Sequence, residues 1–261
     1  MGKESVAKPF YSVLILAFVC SLLVSTAAVN SRLMQEKNRE LDRKKNILRA
    51  AQMYDPDQPI DTMFSTIETR IIELSTGEFV PESQLSAKSF NQIKAAHSSD
   101  LGRSLDKEED IAGLHRVEKF SFVYLVKDGP AAGQVILPVR GKGLWSTMYA
   151  YVALDADLTT ILGISFYEHG ETPGLGGEIE NEKWLAGWQG KQMYSPSGTV
   201  AIQVVHGEAT DVGDNAQYQI DGLSGATMTS KGVNNLMHFW FGDHGFKPFL
   251  ERYQRKGGSN G

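Results

Sequence analysis

Residues 10–29 read FYSVLILAFVCSLLVSTAAV, twenty positions without a charge. At about 1.5 Å of helical rise per residue, such a run spans roughly 30 Å, the thickness of a bilayer core. A segment of this kind either crosses a membrane or is removed after export. Ser25-Thr26-Ala27 offers the small residues of a signal-peptide cleavage site. The apolar run is longer than a usual signal-peptide core, so the expectation is a retained single anchor. Hydrophobic residues make up 41% of the 261, too few for a polytopic membrane protein. The length leaves room for one domain behind the anchor. Cys20 lies inside the apolar run as a small filler. It is the one cysteine, which excludes an intrachain disulfide and a cysteine metal site, and it leaves the redox compartment open.

Behind the anchor the chain turns charged. Residues 30–52 favour a helix, with Leu33, Leu41, Ile47, Leu48 and Ala51 only loosely on one face, and Pro56 and Pro59 end it. The expected organisation is an anchor over 1–30, a charged helical stalk over 31–55 and a folded domain over 56–261. Residues 60–115 are mixed and polar, with one or two short helices around a strand near Arg70–Leu74. From Phe120 the pattern changes. FSFVYLVK, QVILPVR, STMYAYVAL, ILGISFYE and VAIQVV are runs rich in Val, Ile, Tyr and Phe, separated by Asp and Gly turns. They read as five strands, mostly antiparallel because their connections are short. NEKWLAGW (181–188) predicts a short helix. Val233, Leu236, Met237, Trp240 and Phe241 form one helical face suited to packing on a sheet. The fold class is therefore α+β: one N-terminal transmembrane helix, then a mostly antiparallel sheet with flanking helices.

Charge and motif content exclude several functions. A net charge of −5, a pI near 5.7 and no basic stripe argue against a nucleic-acid partner. The six histidines lack metal-ligand spacing among themselves or with carboxylates, so no metal site is expected. No serine sits in a nucleophile elbow, and no catalytic side chain is assigned. Glu171 and Glu178 flank a glycine loop, which is poor support for acid–base catalysis.

Three segments could hold a ligand. In DGLSGATMTS (221–230), Gly225 and Ala226 leave Thr227 uncrowded just ahead of a helix start at about Thr227 to Thr229. The free N–H groups of a helix start bind anions, phosphate above all. The plainer alternative is that these Ser, Thr and Asp residues are N-caps after a tight turn. HGETPGLGGEIE (169–180) follows a predicted strand, and its glycines either present backbone to a ligand or form a wide hairpin loop. It lacks dinucleotide-fingerprint spacing. In GKGLWS (141–146), Trp145 either stacks on a planar ligand or caps the core.

DGLSGATMTS resembles the Ser/Thr-Gly-Ala-Thr flavinylation motif. Together with GKGLWSTMYAYVALDAD (141–157) and GETPGLGGEIEN (170–181), it makes the chain similar to one family with an FMN-binding domain. This is the family of FMN-carrying, singly anchored subunits of the sodium-translocating NADH:quinone reductase of bacterial inner membranes. The likeness runs from the anchor to near the C-terminus, and Tyr54–Arg116 and the tail after Lys256 add little. The resemblance implies a covalent FMN, its phosphate esterified to Thr227, with Ser224, Gly225 and Ala226 completing the motif. A flavin transferase would attach it. Trp145 would then shield or stack on the flavin, and Thr172, Leu175 and Gly176 would contact it. Electrons from NADH would pass through FAD and iron–sulfur centres to this FMN, then to the flavins of a membrane subunit, and finally to ubiquinone, coupled to sodium export. The implied partners are that flavin-carrying membrane subunit, the iron-binding membrane subunits and the transferase. Two alternatives stand beside it: the flavinylated subunit of the related ferredoxin:NAD electron-transport complex, and a membrane-tethered flavin-binding sensor.

The anchor holds no carboxylate, so the subunit is not expected to carry sodium itself. Topology signals conflict. Lys3 and Lys8 precede the anchor, whereas Arg32, Lys37, Arg39, Arg43, Lys44, Lys45 and Arg49 follow it. A positive-inside count would keep the domain in the cytoplasm, but long domains translocate largely regardless of charge. The resemblance implies a periplasmic domain.

Overall fold

The computed structural model describes residues 7–210 and 212–257. In chain order the elements are α1 (Ala7–Ala50), α2 (Ile60–Phe64), β1 (Ile67–Glu73), α3 (Gln92–His97), β2 (Gly102–Ser104), β3 (Arg116–Glu118), β4 (Phe120–Val126), β5 (Val135–Lys142), β6 (Thr147–Leu154) and β7 (Ile161–Glu168). A 3-10 turn over Gly176–Glu180 and α4 (Glu182–Ala186) follow, then β8 (Gln203–Val204), a second 3-10 turn over Ala216–Tyr218, β9 (Gln219–Ile220), α5 (Thr227–Trp240) and α6 (Lys247–Gly257).

Anchor and stalk, expected as separate segments, are one continuous helix of 44 residues. No Gly or Pro interrupts it after Pro9. Its apolar portion, Pro9–Arg32, is long enough to cross a membrane. Contacts divide the chain into one unit that ends at Arg43 and a second that starts at Lys44.

In the second unit, β1-β4-β5-β6-β7 form one antiparallel sheet. Its strands look apolar throughout because both faces are covered. Along β4, β5 and β6, Val123, Leu125, Val135, Leu137, Val139, Ala150 and Val152 point to one core. Their neighbours Phe122, Tyr124, Val126, Ile136, Tyr151 and Ala153 point to the other. This is the two-residue period of a strand read on both sides. The first core holds Val233, Leu236, Met237 and Trp240 of α5 with Phe249 and Leu250 of α6. The second holds Ile47, Leu48 and Ala51, so the end of the expected stalk is core. α5 lies close to β5: a Cβ at Gly141 would come within 2.6 Å of the Leu236 Cβ, and one at Gly232 within 2.5 Å of the Lys142 carbonyl oxygen.

Two strand assignments differ from the sequence reading. VAIQVV is not a fifth strand of the main sheet. Only Gln203–Val204 is extended, pairing in parallel with β9. Side chains of α5 take up its polar backbone: Asn234 Oδ1 accepts from the Val204 N–H at 3.2 Å, and His238 Nε2 meets the Ile202 carbonyl at 3.0 Å. The fifth place belongs to β1, which pairs with β4 from Ile67↔Val126 to Glu73↔Phe120.

Candidate functional site

α5 begins at Thr227, within the expected range, but not through a polar N-cap. The N-cap is Ala226, and no side chain caps the helix. Gly225 just before it has φ +70°, a left-handed conformation that favours glycine. Ser230 braces the turn instead: its hydroxyl accepts from the Leu223 N–H at 3.0 Å. The first N–H groups of the helix therefore keep their positive dipole end free of a cap.

Thr227 is exposed and opens on a cleft of about 780 Å³. Ser224, Gly225, Lys183, His206, Lys231 and Asn234 share its lining. Thr227 and Lys231 stand one turn apart on the same face of α5. Trp184 forms another wall, fixed by its Nε1–H donating to the Asp221 carbonyl at 2.8 Å. A cleft of this size is within the range of small-ligand sites. Lys183, Lys231 and the uncapped helix start can meet a phosphate there, beside the carboxylates of Glu178, Glu208 and Asp221 in the same lining.

The other two segments meet α5 at Thr229 and Gly232. Residues 143–146 form the hairpin between β5 and β6, closed by the Gly143 N–H donating to the Ser146 carbonyl at 2.8 Å. Trp145 is thus at a hairpin tip and, at 66% exposed, does not cap the core. Beside it lies the 170–176 loop, where Ser146 Oγ accepts from the Gly170 N–H at 2.6 Å. The carboxylate of Glu171 joins all three segments. It accepts from the N–H groups of Leu144, Trp145 and Ser146 at 3.2, 3.0 and 3.4 Å, and from the Thr229 hydroxyl at 2.5 Å. Burial pushes the Glu171 carboxyl up, but the Thr229 hydroxyl and the three N–H groups outweigh it and hold the pKa below the usual carboxylate value.

The residues expected to contact a flavin take distinct places. Leu175 packs over the turn before α5, since a Cβ on Gly225 would come within 3.0 Å of its Cδ2. The Thr172 carbonyl accepts from the N–H groups of Leu175 and Gly177. Gly176 is buried against Thr229 and Glu171. None of these three, nor Trp145, lines the cleft beside Thr227. The sequence reading weighs Glu171 only as an acid–base group and does not single out Lys183, Trp184, Lys231 or Asn234. Lys231 and Asn234 carry a usable signal, lying one and two helical turns beyond Thr227.

The FMN-binding domain family matches residues 143–242, which hold Trp145, the glycine loop and Thr227. NqrC of the Na(+)-translocating NADH-quinone reductase of Pseudomonas aeruginosa is 41% identical over 258 residues, covering 97% of this chain and 98% of its own. That of Vibrio parahaemolyticus is 43% identical over 262 residues, covering 99% of each. Among solved structures, Shewanella oneidensis NqrC superposes with a TM-score of 0.74 at 34% identity, covering 85% of this chain and 99% of its own. The Parabacteroides distasonis counterpart gives 0.61 at 28% identity, covering 84% and 96%. The chain belongs to the NqrC family of subunits of the Na(+)-translocating NADH-quinone reductase.

Proposed function

We propose that this chain is the FMN-carrying NqrC subunit of a sodium-translocating NADH-quinone reductase, with the FMN phosphate esterified to Thr227 Oγ1. The observation that carries the attachment is an exposed Thr227 at an uncapped helix start, on the rim of a cleft with Lys183 and Lys231. Bound FMN supplies one- and two-electron transfer. The chain's residues do the rest. Gly225 and Ala226 keep bulk away from the Thr227 hydroxyl, so a flavin transferase can reach it. The free N–H groups of α5 and the two lysines offset the phosphate charge. Leu175 and Trp145 supply apolar surface beside the turn, and Thr172 and Gly176 shape the loop that carries Leu175. A phosphoester leaves the flavin ring chemically unchanged and alters its retention, which matters on a membrane face without free FMN.

The relay would hand electrons onward to the flavin-carrying and iron-binding membrane subunits, in a complex that exports sodium. The chain is a single-pass inner-membrane protein with the anchor within residues 1–30, a charged stalk after it whose last turn, with Ile47 and Leu48, joins the domain core, and the flavin domain over 56–261 on the periplasmic side. A reporter that is active only after export, fused behind Lys256, checks this side. It should be active, and an inactive reporter on a stable, membrane-inserted fusion would overturn the topology.

The direct test of attachment is in-gel flavin fluorescence of the denatured chain. Wild type should fluoresce and Thr227→Ala should be dark, with thermal stability close to wild type because the side chain is exposed. Fluorescence that survives in Thr227→Ala would place the ester elsewhere.

A further inference from the structure

We infer that Glu171 is a positioning residue: its carboxylate clamps the backbone of the Trp145 hairpin to the first turn of α5, so that the hairpin presents the indole from a fixed point on the domain. The inference rests on the reading of Thr227 as the flavin site.

A hairpin tip is ordinarily held by burying its apolar side chains. Here Leu144 is 45% exposed and Trp145 66% exposed, so packing does not fix them. Three successive N–H groups, of Leu144, Trp145 and Ser146, instead converge on one carboxylate. That carboxylate's other contact is the buried hydroxyl of Thr229, two residues beyond Thr227. The clamp therefore starts at the exposed tryptophan and ends in the turn that carries the attachment residue.

The surroundings are shaped to the carboxylate. A Cβ at Gly143 would come within 2.5 Å of Oε1, and one at Gly176 within 3.0 Å of Oε2 and 2.5 Å of Thr229 Oγ1. Glycines in two of the three motif segments thus make room for Glu171 itself. Its backbone is held as well: the Glu171 N–H donates to His169 Nδ1 at 3.1 Å, and His169 Nε2 lies 3.1 Å from Glu180 Oε1. Among the described residues no cation lies within ion-pair distance of the carboxylate, so every bond it makes goes to the two elements it joins. Glutamine offers one acceptor oxygen instead of two and turns an NH2 group toward the remaining donors. It should hold the clamp in part, and alanine not at all.

The experiment uses the full chain in detergent, labelled with 5-fluorotryptophan, with the Trp145 fluorine line assigned through Trp145→Phe. It is done first on a Thr227→Ala background, where no flavin is attached. Glu171→Ala should shift the Trp145 line away from its wild-type position, because the released hairpin carries the indole with it. The lines of Trp184, Trp188 and Trp240 should stay in place and report an intact fold. Glu171→Gln should move the Trp145 line part of the way. If Glu171→Ala unfolds the chain, Glu171→Gln alone decides. A Trp145 line that stays at its wild-type position in the folded variant overturns the inference.

With Thr227 restored, Glu171→Ala should keep the flavin of the denatured band. It should change native flavin fluorescence as much as Trp145→Ala does, and the double variant should change it no further. Additive effects would mean that Glu171 acts independently of Trp145 and would also overturn the inference. A wild-type chain without covalent flavin would sink the reading of Thr227, and the fluorine spectra would still decide the clamp.

Discussion

Two buried carboxylates of the domain are satisfied in opposite ways. Glu118, 1% exposed, is paired through both oxygens with the Arg140 guanidinium, and Gln92 donates to it at 2.5 Å. Arg140 in turn lies 5.2 Å from the Trp240 ring centroid, and the Trp240 Nε1–H donates to the Arg140 carbonyl at 2.6 Å. The charge is cancelled where it is buried, between β3, β5 and α5. Glu171, 5% exposed, is satisfied by neutral donors alone. It keeps its negative charge next to a helix start, where the dipole favours an anion. A cancelled pair locks strands. An uncancelled carboxylate with several neutral donors can tie a loop to a helix end.

The sharpest way to break this contrast is to remove Glu118. Glu118→Ala leaves a buried arginine without its counter-ion, which costs about 3–5 kcal/mol. Denaturant unfolding should show a loss of that size. Replacing both partners together, Glu118→Leu with Arg140→Met, should recover most of it, because an apolar pair of similar volume is often neutral. If the single and double variants are equally unstable, the pair is not what holds β3 to β5.

Removing the other carboxylate should cost less. Glu171→Ala abandons three N–H groups and a hydroxyl, but the hairpin lies at the surface and water can reach part of it. About 1–3 kcal/mol is expected from the unsatisfied groups. A loss as large as that for Glu118→Ala would mean that Glu171 belongs to the core scaffold rather than to a surface clamp.

The contrast also marks what can be read from the chain alone. Strands β4 to β7 and the buried face of α5 are legible because period and turn residues are local signals. So is the start of α5, since Gly225-Ala226 followed by hydroxyl residues can be read within one turn of chain. Residues 200–205 mislead because their composition is strand-like while their partners, Asn234 and His238, lie on a helix far along the chain. Glu171 is hidden for the same reason. Its partners are 26 and 58 residues away, and nothing local to HGETPG announces them. The last turn of α1 looks like stalk because its apolar residues, Ile47, Leu48 and Ala50, are few among charged neighbours, and their burial depends on the far face of the sheet.

Gly225 gives a smaller test on the attachment side. Its φ of +70° and the Leu175 methyl 3.0 Å from a would-be Cβ both oppose a side chain. Gly225→Ala should cost about 1–2 kcal/mol in strain, as expected for a left-handed non-glycine residue. It should also lower the fraction of chain carrying flavin, read as fluorescence per band. Full labelling with unchanged stability would show that the turn does not need this conformation.

The smallest effect is the dependence of stability on pH. Donors to Glu171 hold its folded-state pKa below the ordinary value, despite burial acting the other way. An unfolded glutamate titrates near about 4.3. Above that pH the carboxylate is charged in both states, so it adds a constant amount to stability. As pH falls below about 4.3 the unfolded chain takes up the proton first, and the contribution shrinks until the folded carboxyl is protonated too. Glutamine at this position cannot titrate. The difference in unfolding free energy between wild type and Glu171→Gln should therefore stay flat at and above about pH 5, then narrow steadily on acidification. A difference that widens toward acid would mean that burial, not the hydroxyl of Thr229 and the three hairpin N–H groups, sets the carboxyl's ionisation.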